Sequence, residues 1–163
     1  MPFPYYNRLS GRHKAVYRKS ASIAAVPLAY PQSAWPLVTE LQEGLARDDR
    51  IAVQDAAREL ALAITLDLAI PPVRVEVLAV RPHKRSEELH GLYTWEQGKQ
   101  PCVQVWMRTA QQQRVVAFRT FLRTLLHEMC HHIDYTLFGL SESFHTEGFF
   151  RRESSLVRQL MPR

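Results

Sequence analysis

Cysteine is scarce in this chain, with two among 163 residues, Cys102 and Cys130. Two thiols cannot build a disulfide framework, and their spacing does not suggest a redox pair. Six glycines and ten prolines are too few for a collagenous or low-complexity chain. No apolar run approaches the roughly 20 residues that a membrane span requires. Acidic residues are missing altogether from positions 1–39, where Arg8, Arg12, Lys14, Arg18 and Lys19 contribute +5. Residues 40–163 hold sixteen basic and sixteen acidic side chains, so the net charge of +5 belongs to the N-terminal stretch.

What is present is ordinary for a globular protein: 46% apolar and 23% charged residues, at a length that makes one domain with a sizeable core. Residues 1–36 are rich in proline, tyrosine and basic side chains, without sustained periodicity, and read as a basic, flexible arm. Residues 37–163 read as a single domain. The arm suits a weak contact with DNA or another anionic surface, or is a solvated terminus. A targeting signal is a poor reading of it, because the basic segment is long and Pro27 and Pro31 interrupt the short apolar stretch that follows. The expectation is a cytoplasmic protein with no membrane association.

Residues 37–68 turn helical, with Leu37, Leu41 and Leu45, then Ile51, Ala56, Leu60 and Ile64, at helical spacing. Asp48 and Asp49 mark a break and a new N-cap, and Pro71-Pro72 ends the stretch. Alternation and β-branching predict strands over residues 73–80, 91–95 and 102–107, the last two joined as a hairpin through the turn at 97–101. Residues 114–138 predict the longest helix, closed by Gly139 as a left-handed cap. Residues 146–160 predict a final helix with Phe149, Phe150, Leu156 and Leu160 facing inward. These elements make an α+β protein, a small mixed sheet packed against helices.

On the long helix, Phe118, Leu122, Leu125, Met129 and Ile133 fall together at about 100° per residue. Thr120, Thr124, His127, His131 and Asp134 fall on the opposite side, an unusual stripe for a core helix. Within it, His127-Glu128-Met129-Cys130-His131 is an HExxH sequence. Residues four apart lie about 40° apart in azimuth and roughly 6 Å along the axis, so both imidazoles can reach one ion. Neutral imidazoles suit Zn2+. Glu128 stands beside the pair, able to take a proton from an attacking water without filling a ligand position.

Catalytic zinc takes a third protein ligand, and Glu142, His145 and Glu147 follow within reach of a chain reversal. His is the commonest metal ligand, so His145 is favoured over the two glutamates. Asp134, one turn past His131, reads as an orienter of a ligating imidazole, or as a fourth ligand that would close the site. His132 lies about 140° around the helix from His127 and reads as a surface or partner-facing residue. Cys130 faces away from the ion, and both cysteines read as small core residues.

His127-Glu-Met-Cys-His131, followed by a loop and a His145-x-x-Gly-Phe149 segment opening the last helix, resembles the SprT-like zinc metallopeptidases. That family includes the Spartan proteases, which digest proteins crosslinked to DNA. The resemblance covers residues 70–163 and takes in Gly91-Leu-Tyr-Thr-Trp95 as the Gly-aromatic strand before the helix. It departs at Thr146, where the family carries glycine after the third histidine, and no zinc-ribbon sequence follows the last helix. It implies a compact zincin-like fold, zinc on His127, His131 and His145, Glu128 as general base, and a protein or peptide substrate aligned along an edge strand. Strand 102–107 is the favoured edge, because it leads into the long helix, and Tyr93 and Tyr135 are the candidate oxyanion stabilisers. The alternatives are a non-catalytic, zinc-stabilised nucleic-acid-binding or interaction domain, with Asp134 or Glu147 completing four ligands, and a zinc hydrolase of small amides. Deletion of residues 1–20 is expected to leave the zinc site intact.

Overall fold

The computed structural model describes residues 5–80, 91–109 and 113–161; the charged loop expected over residues 81–90 lies outside them. Among the described residues the order is α1 (Gly11–Ser22), α2 (Trp35–Ala46), α3 (Arg50–Leu68), β1 (Arg74–Val80), β2 (Gly91–Thr94), β3 (Cys102–Arg108), α4 (Phe118–Thr136) and α5 (Glu147–Leu160). The class is α+β, with a three-stranded mixed sheet. The break between α2 and α3 falls where the two aspartates predict it, and the Asp49 carboxylate accepts from the Ala52 N–H at 3.1 Å.

The sheet order is β1-β3-β2, with β1 parallel and β2 antiparallel to β3. Strand 102–107 is therefore the centre of the sheet, not the edge that the sequence reading favours. Its Val103, Val105 and Met107 join Val75 and Val77 of β1 in the core, and burial of that shared face draws β1 onto its second side. The outer edge of β1 is covered by α3. Gln54 accepts from the Val77 N–H (3.3 Å), while Arg58 and Arg50 donate to the carbonyls of Val75 and Val77 (3.1 and 3.3 Å). Covering an edge in this way blocks further strand pairing. Among the described residues β2 pairs with β3 alone, and its outer edge is open.

Helix α4 begins at Phe118, four residues later than predicted, because the Val116 N–H is committed to the Met107 carbonyl (2.8 Å) and Val115 bridges to Arg108. It packs against β2, β3 and α5 together. The simple two-faced helix read from the sequence is accordingly buried on several sides, with Phe121, Leu126, Cys130, His132 and Asp134 all inside.

The arm expected over residues 1–36 is folded from Tyr5 onward. Ser10 caps α1 by accepting from the His13 N–H (3.1 Å), and Tyr17, Ser20 and Val26 are buried. Past α1, the Leu28 N–H donates to the Gln159 side chain and the Gln159 amide donates to the Val26 carbonyl, both at 2.8 Å. The firmest tie is Arg152 of α5. Its fully buried guanidinium donates to the carbonyls of Ser20 (2.6 Å) and Ile23 (2.7 Å) and pairs with Asp134. A buried guanidinium needs acceptors, and the carbonyls at the end of α1 supply them to its Nη1 group, the Ser20 carbonyl accepting from the Ile23 N–H (3.2 Å) as well. The partners on the α1 side are neutral, and hydrogen bonds to a charged group are worth about 1.5–3 kcal/mol each, so this contact anchors a helix with little apolar surface. Arg8, Arg12, Arg18 and Lys19 stay exposed on the docked segment. Among the described residues no helix is long and apolar enough to cross a membrane.

Candidate metal centre

His127 and His131 occupy successive turns of α4, half-buried, with ring centroids 5.3 Å apart. After α4 the chain reverses at Gly139, whose φ of +62° is readily reached only by glycine, and the Leu140 N–H returns to the Asp134 carbonyl at 3.0 Å. Thr146 then caps α5, its hydroxyl accepting from the Phe149 N–H at 3.0 Å. The residue just before that cap, His145, is thereby held beside the pair. Its ring lies 4.8 Å from His127 and 5.0 Å from His131, and its Nε2 is 3.1 Å from the Nε2 of His131. One ring nitrogen from each of the three lies within 4.8 Å of the others, an arrangement able to hold a metal ion.

Hydrogen bonds assign the ring tautomers. His127 donates from Nδ1 to Glu153 Oε1 (2.6 Å), and His131 donates from Nδ1 to Ser143 Oγ (2.7 Å), whose own proton goes to Asp134 Oδ2 (2.8 Å). Each leaves an Nε2 lone pair facing the shared space. Burial pushes the His131 imidazole down to about 3, with His145 and His127 adding to the shift, and burial likewise lowers His145. Phe149 is fully buried and lies 4.8–5.0 Å from all three rings, an apolar floor beneath them. Burial alone would raise the pKa of Glu153, but its hydrogen bonds with His127 and Arg123 outweigh that and hold it ionised.

Glu128 is 6% exposed, and its Oε2 has no hydrogen-bond partner. Burial pushes its carboxyl up to about 7, opposed by His127 and assisted by the charge of Glu153. The start of β2 presses directly on it. A Cβ at Gly91 would lie 2.9 Å from Thr124 Cγ2 and 3.0 Å from Glu128 Cγ, so this close approach requires glycine.

Several expected placements are corrected. His132 is fully buried, not at the surface. It bonds from Nε2 to the Pro71 carbonyl (2.7 Å) and at Nδ1 accepts from the Tyr93 hydroxyl (3.0 Å). The side of α4 that it faces is covered by the sheet, and its two bonds tie β2 and the approach to β1 to the helix. The Tyr93 hydroxyl is committed there, which removes it from the oxyanion candidates. Asp134 neither ligates nor touches an imidazole. It pairs with Arg152 and reaches His131 only through Ser143. Glu147 pairs with Arg151 at the surface (2.9 Å), and neither it nor Glu142 joins the histidine cluster. Phe150, expected inward, is 46% exposed and lies 5.7 Å from His145 at the mouth of the site.

The sequence reading did not find Glu153, Ser143 or Arg152. For two of them a sign was present: Phe149, Arg152, Glu153, Leu156 and Leu160 fall on one face of α5 at helical spacing and are all buried. Two charges on the inward stripe of an amphipathic helix require partners inside. Ser143 carries no such sign.

Comparison with protein-family models, with curated proteins and with solved structures finds no match to this chain.

If the cluster holds a metal ion, His145→Ala is expected to weaken its binding far more than Glu142→Ala or Glu147→Ala, measured by competition with a chromophoric chelator. A change of affinity in a glutamate variant but not in His145→Ala would transfer the ligand role.

Proposed function

We propose that this protein is a zinc-dependent metallopeptidase of the SprT-like kind, hydrolysing peptide bonds. The observation that carries the reading is Glu128: a buried carboxylate with one free oxygen, adjacent in sequence to a ligand, beside three convergent imidazoles and against an open strand edge. Three neutral nitrogen donors fit Zn2+ better than Ca2+ or Mg2+, which take oxygen. Among the described residues no fourth side chain joins the cluster, which favours a catalytic over a closed, structural site. Zinc held there would supply Lewis acidity to the scissile carbonyl and lower the pKa of a coordinated water.

The chain's own groups do the rest. Glu128 accepts the proton of the attacking water and passes it to the leaving amine, a role matched by a carboxyl raised toward neutrality. Glu153 and Ser143 hold the two α4 imidazoles in the required tautomer. An extended substrate adds to the open edge of β2, which places its backbone beside Glu128 at Gly91. Where the end of β2 meets α4, Tyr93, Tyr135 of α4 and Trp95 stack in sequence, centroids 6.1 and 6.2 Å apart, and Trp95 is 60% exposed. The column offers an apolar surface for substrate side chains.

Incubating the zinc-loaded protein with an unstructured protein substrate is expected to yield fragments with new internal N-termini by mass spectrometry. Unchanged substrate across a range of unstructured proteins, with zinc bound, would overturn the reading.

A further inference from the structure

Helix α1 lies next to the metal centre but supplies no ligand to it. We propose that α1 is nevertheless a positioning element of that centre, a latch whose docking holds His131 and His145 in place. Two hydrogen-bonded routes lead from its last turn to the ligands. On the first, the Ser20 and Ile23 carbonyls (2.6 and 2.7 Å) and the Ser20 hydroxyl (2.9 Å) accept from Arg152. Arg152 then donates to Asp134 Oδ2 (3.2 Å), the same oxygen that accepts from Ser143, and Ser143 accepts from His131 Nδ1. On the second, Ser20 Oγ lies 2.9 Å from Thr146 Oγ1, the cap of α5 and the immediate neighbour of His145. Ring contacts reinforce the second route: His13 and Tyr17 of α1 lie 5.9 and 6.0 Å from Phe144, which precedes His145.

Arg152 is central because it is wholly buried and must distribute its donors. With α1 docked, the carbonyls of one helix end take up Nη1 and leave Nη2 to Ser20 and Asp134. With α1 displaced, those carbonyls go, and the guanidinium has to turn to water or to a different grip on Asp134. Ser143 then loses the fixed acceptor for its proton, and His131 loses the fixed acceptor that sets its tautomer. Partners of this kind are worth about 10–100-fold in metal affinity. Deletion of residues 1–20 is on this basis expected to disturb the metal centre, the reverse of the expectation from the sequence.

Gly148 provides a way to undock α1 from within the full chain. It is the second residue of α5, and a Cβ there would lie 2.2 Å from the Ser20 carbonyl oxygen and 2.8 Å from that of Ala21. Both are backbone atoms and cannot swing aside, so α1 and α5 have to part there. Alanine is a better helix former than glycine, so α5 itself gains.

The test is the zinc affinity of full-length Gly148→Ala and wild type, by competition with a chromophoric chelator below the melting temperature of both metal-free proteins. Helix content by circular dichroism is read in parallel. The expected result is a folded Gly148→Ala protein binding zinc about 10–100-fold more weakly. Equal affinities in folded proteins, with only the metal-free melting temperature lowered, would show that α1 contributes to stability alone and would overturn the proposal. If Gly148→Ala does not fold, Ser20→Ala decides. Loss of its hydroxyl from both routes is expected to weaken zinc binding several-fold, and unchanged affinity overturns the latch. The proposal rests on metal binding by the three imidazoles and not on peptide hydrolysis, so a wild type that binds zinc without cleaving peptides leaves it standing. A wild type that binds no zinc overturns both.

Discussion

Glu128→Gln is expected to lower the rate of peptide hydrolysis by about 10²–10⁴-fold while leaving one zinc ion bound. The substitution keeps the size of the side chain and removes only its capacity to accept a proton. Because Glu128 lies outside the imidazole cluster, the ligand set is untouched. A 10³-fold loss corresponds to about 4 kcal/mol of transition-state stabilisation, which separates this effect from a packing defect. Because burial holds the Glu128 carboxyl up to about 7, ionising it costs the folded chain stability as pH rises from the usual carboxylate range to neutrality, so the neutral amide is expected to keep or raise the melting temperature there, not lower it. Activity is to be read as kcat/KM on one unstructured substrate, with zinc content measured on the same sample. Wild-type turnover in zinc-loaded Glu128→Gln would remove Glu128 from the mechanism.

Removal of the metal has the other large expected effect. Chelation should abolish hydrolysis and lower the melting temperature together, because an ion that binds only the folded chain stabilises it by mass action. At free zinc about 1,000 times its dissociation constant this amounts to about 4 kcal/mol, or roughly 8–16 °C for a chain of this size. His127 and His131 are held by hydrogen bonds to Glu153 and Ser143 that do not involve an ion, and His145 already lies beside them. The metal-free chain is therefore expected to stay folded, with the loss in stability reversed by adding zinc. A melting temperature indifferent to zinc would mean that the histidine cluster does not bind it.

Much of the local structure was legible in the residues. Helix α4 is written in the spacing of its leucines, β1 and β3 in alternating valines, and the cap of α3 in Asp49. The convergence of His127 and His131 follows from helix geometry, since residues four apart share a face whatever surrounds them. His145 was legible in part, because a loop of the right length and a capping threonine precede α5, although only the folded chain decides between it and the neighbouring glutamates. All of these are short-range consequences of the chain, set within a turn or two of each residue.

What the sequence could not settle depends on which surfaces meet. Alternation marks a strand but does not say on how many sides it pairs, so β3 read as an edge while β2 is the open one. Azimuth places His132 away from His127 and His131 but cannot tell solvent from a covering sheet, and here the sheet covers it. The first 36 residues have no apolar stripe to announce docking, because α1 is held by carbonyls, one hydroxyl and the missing side chain of Gly148. The sequence by itself determined the helices from α2 to α5, the strands and the HExxH pair, because these follow from local periodicity and helix geometry. Tertiary structure alone decided which strand edge is free, which partners fix the imidazoles, and that α1 belongs to the folded body, because each depends on contacts between residues far apart in the chain.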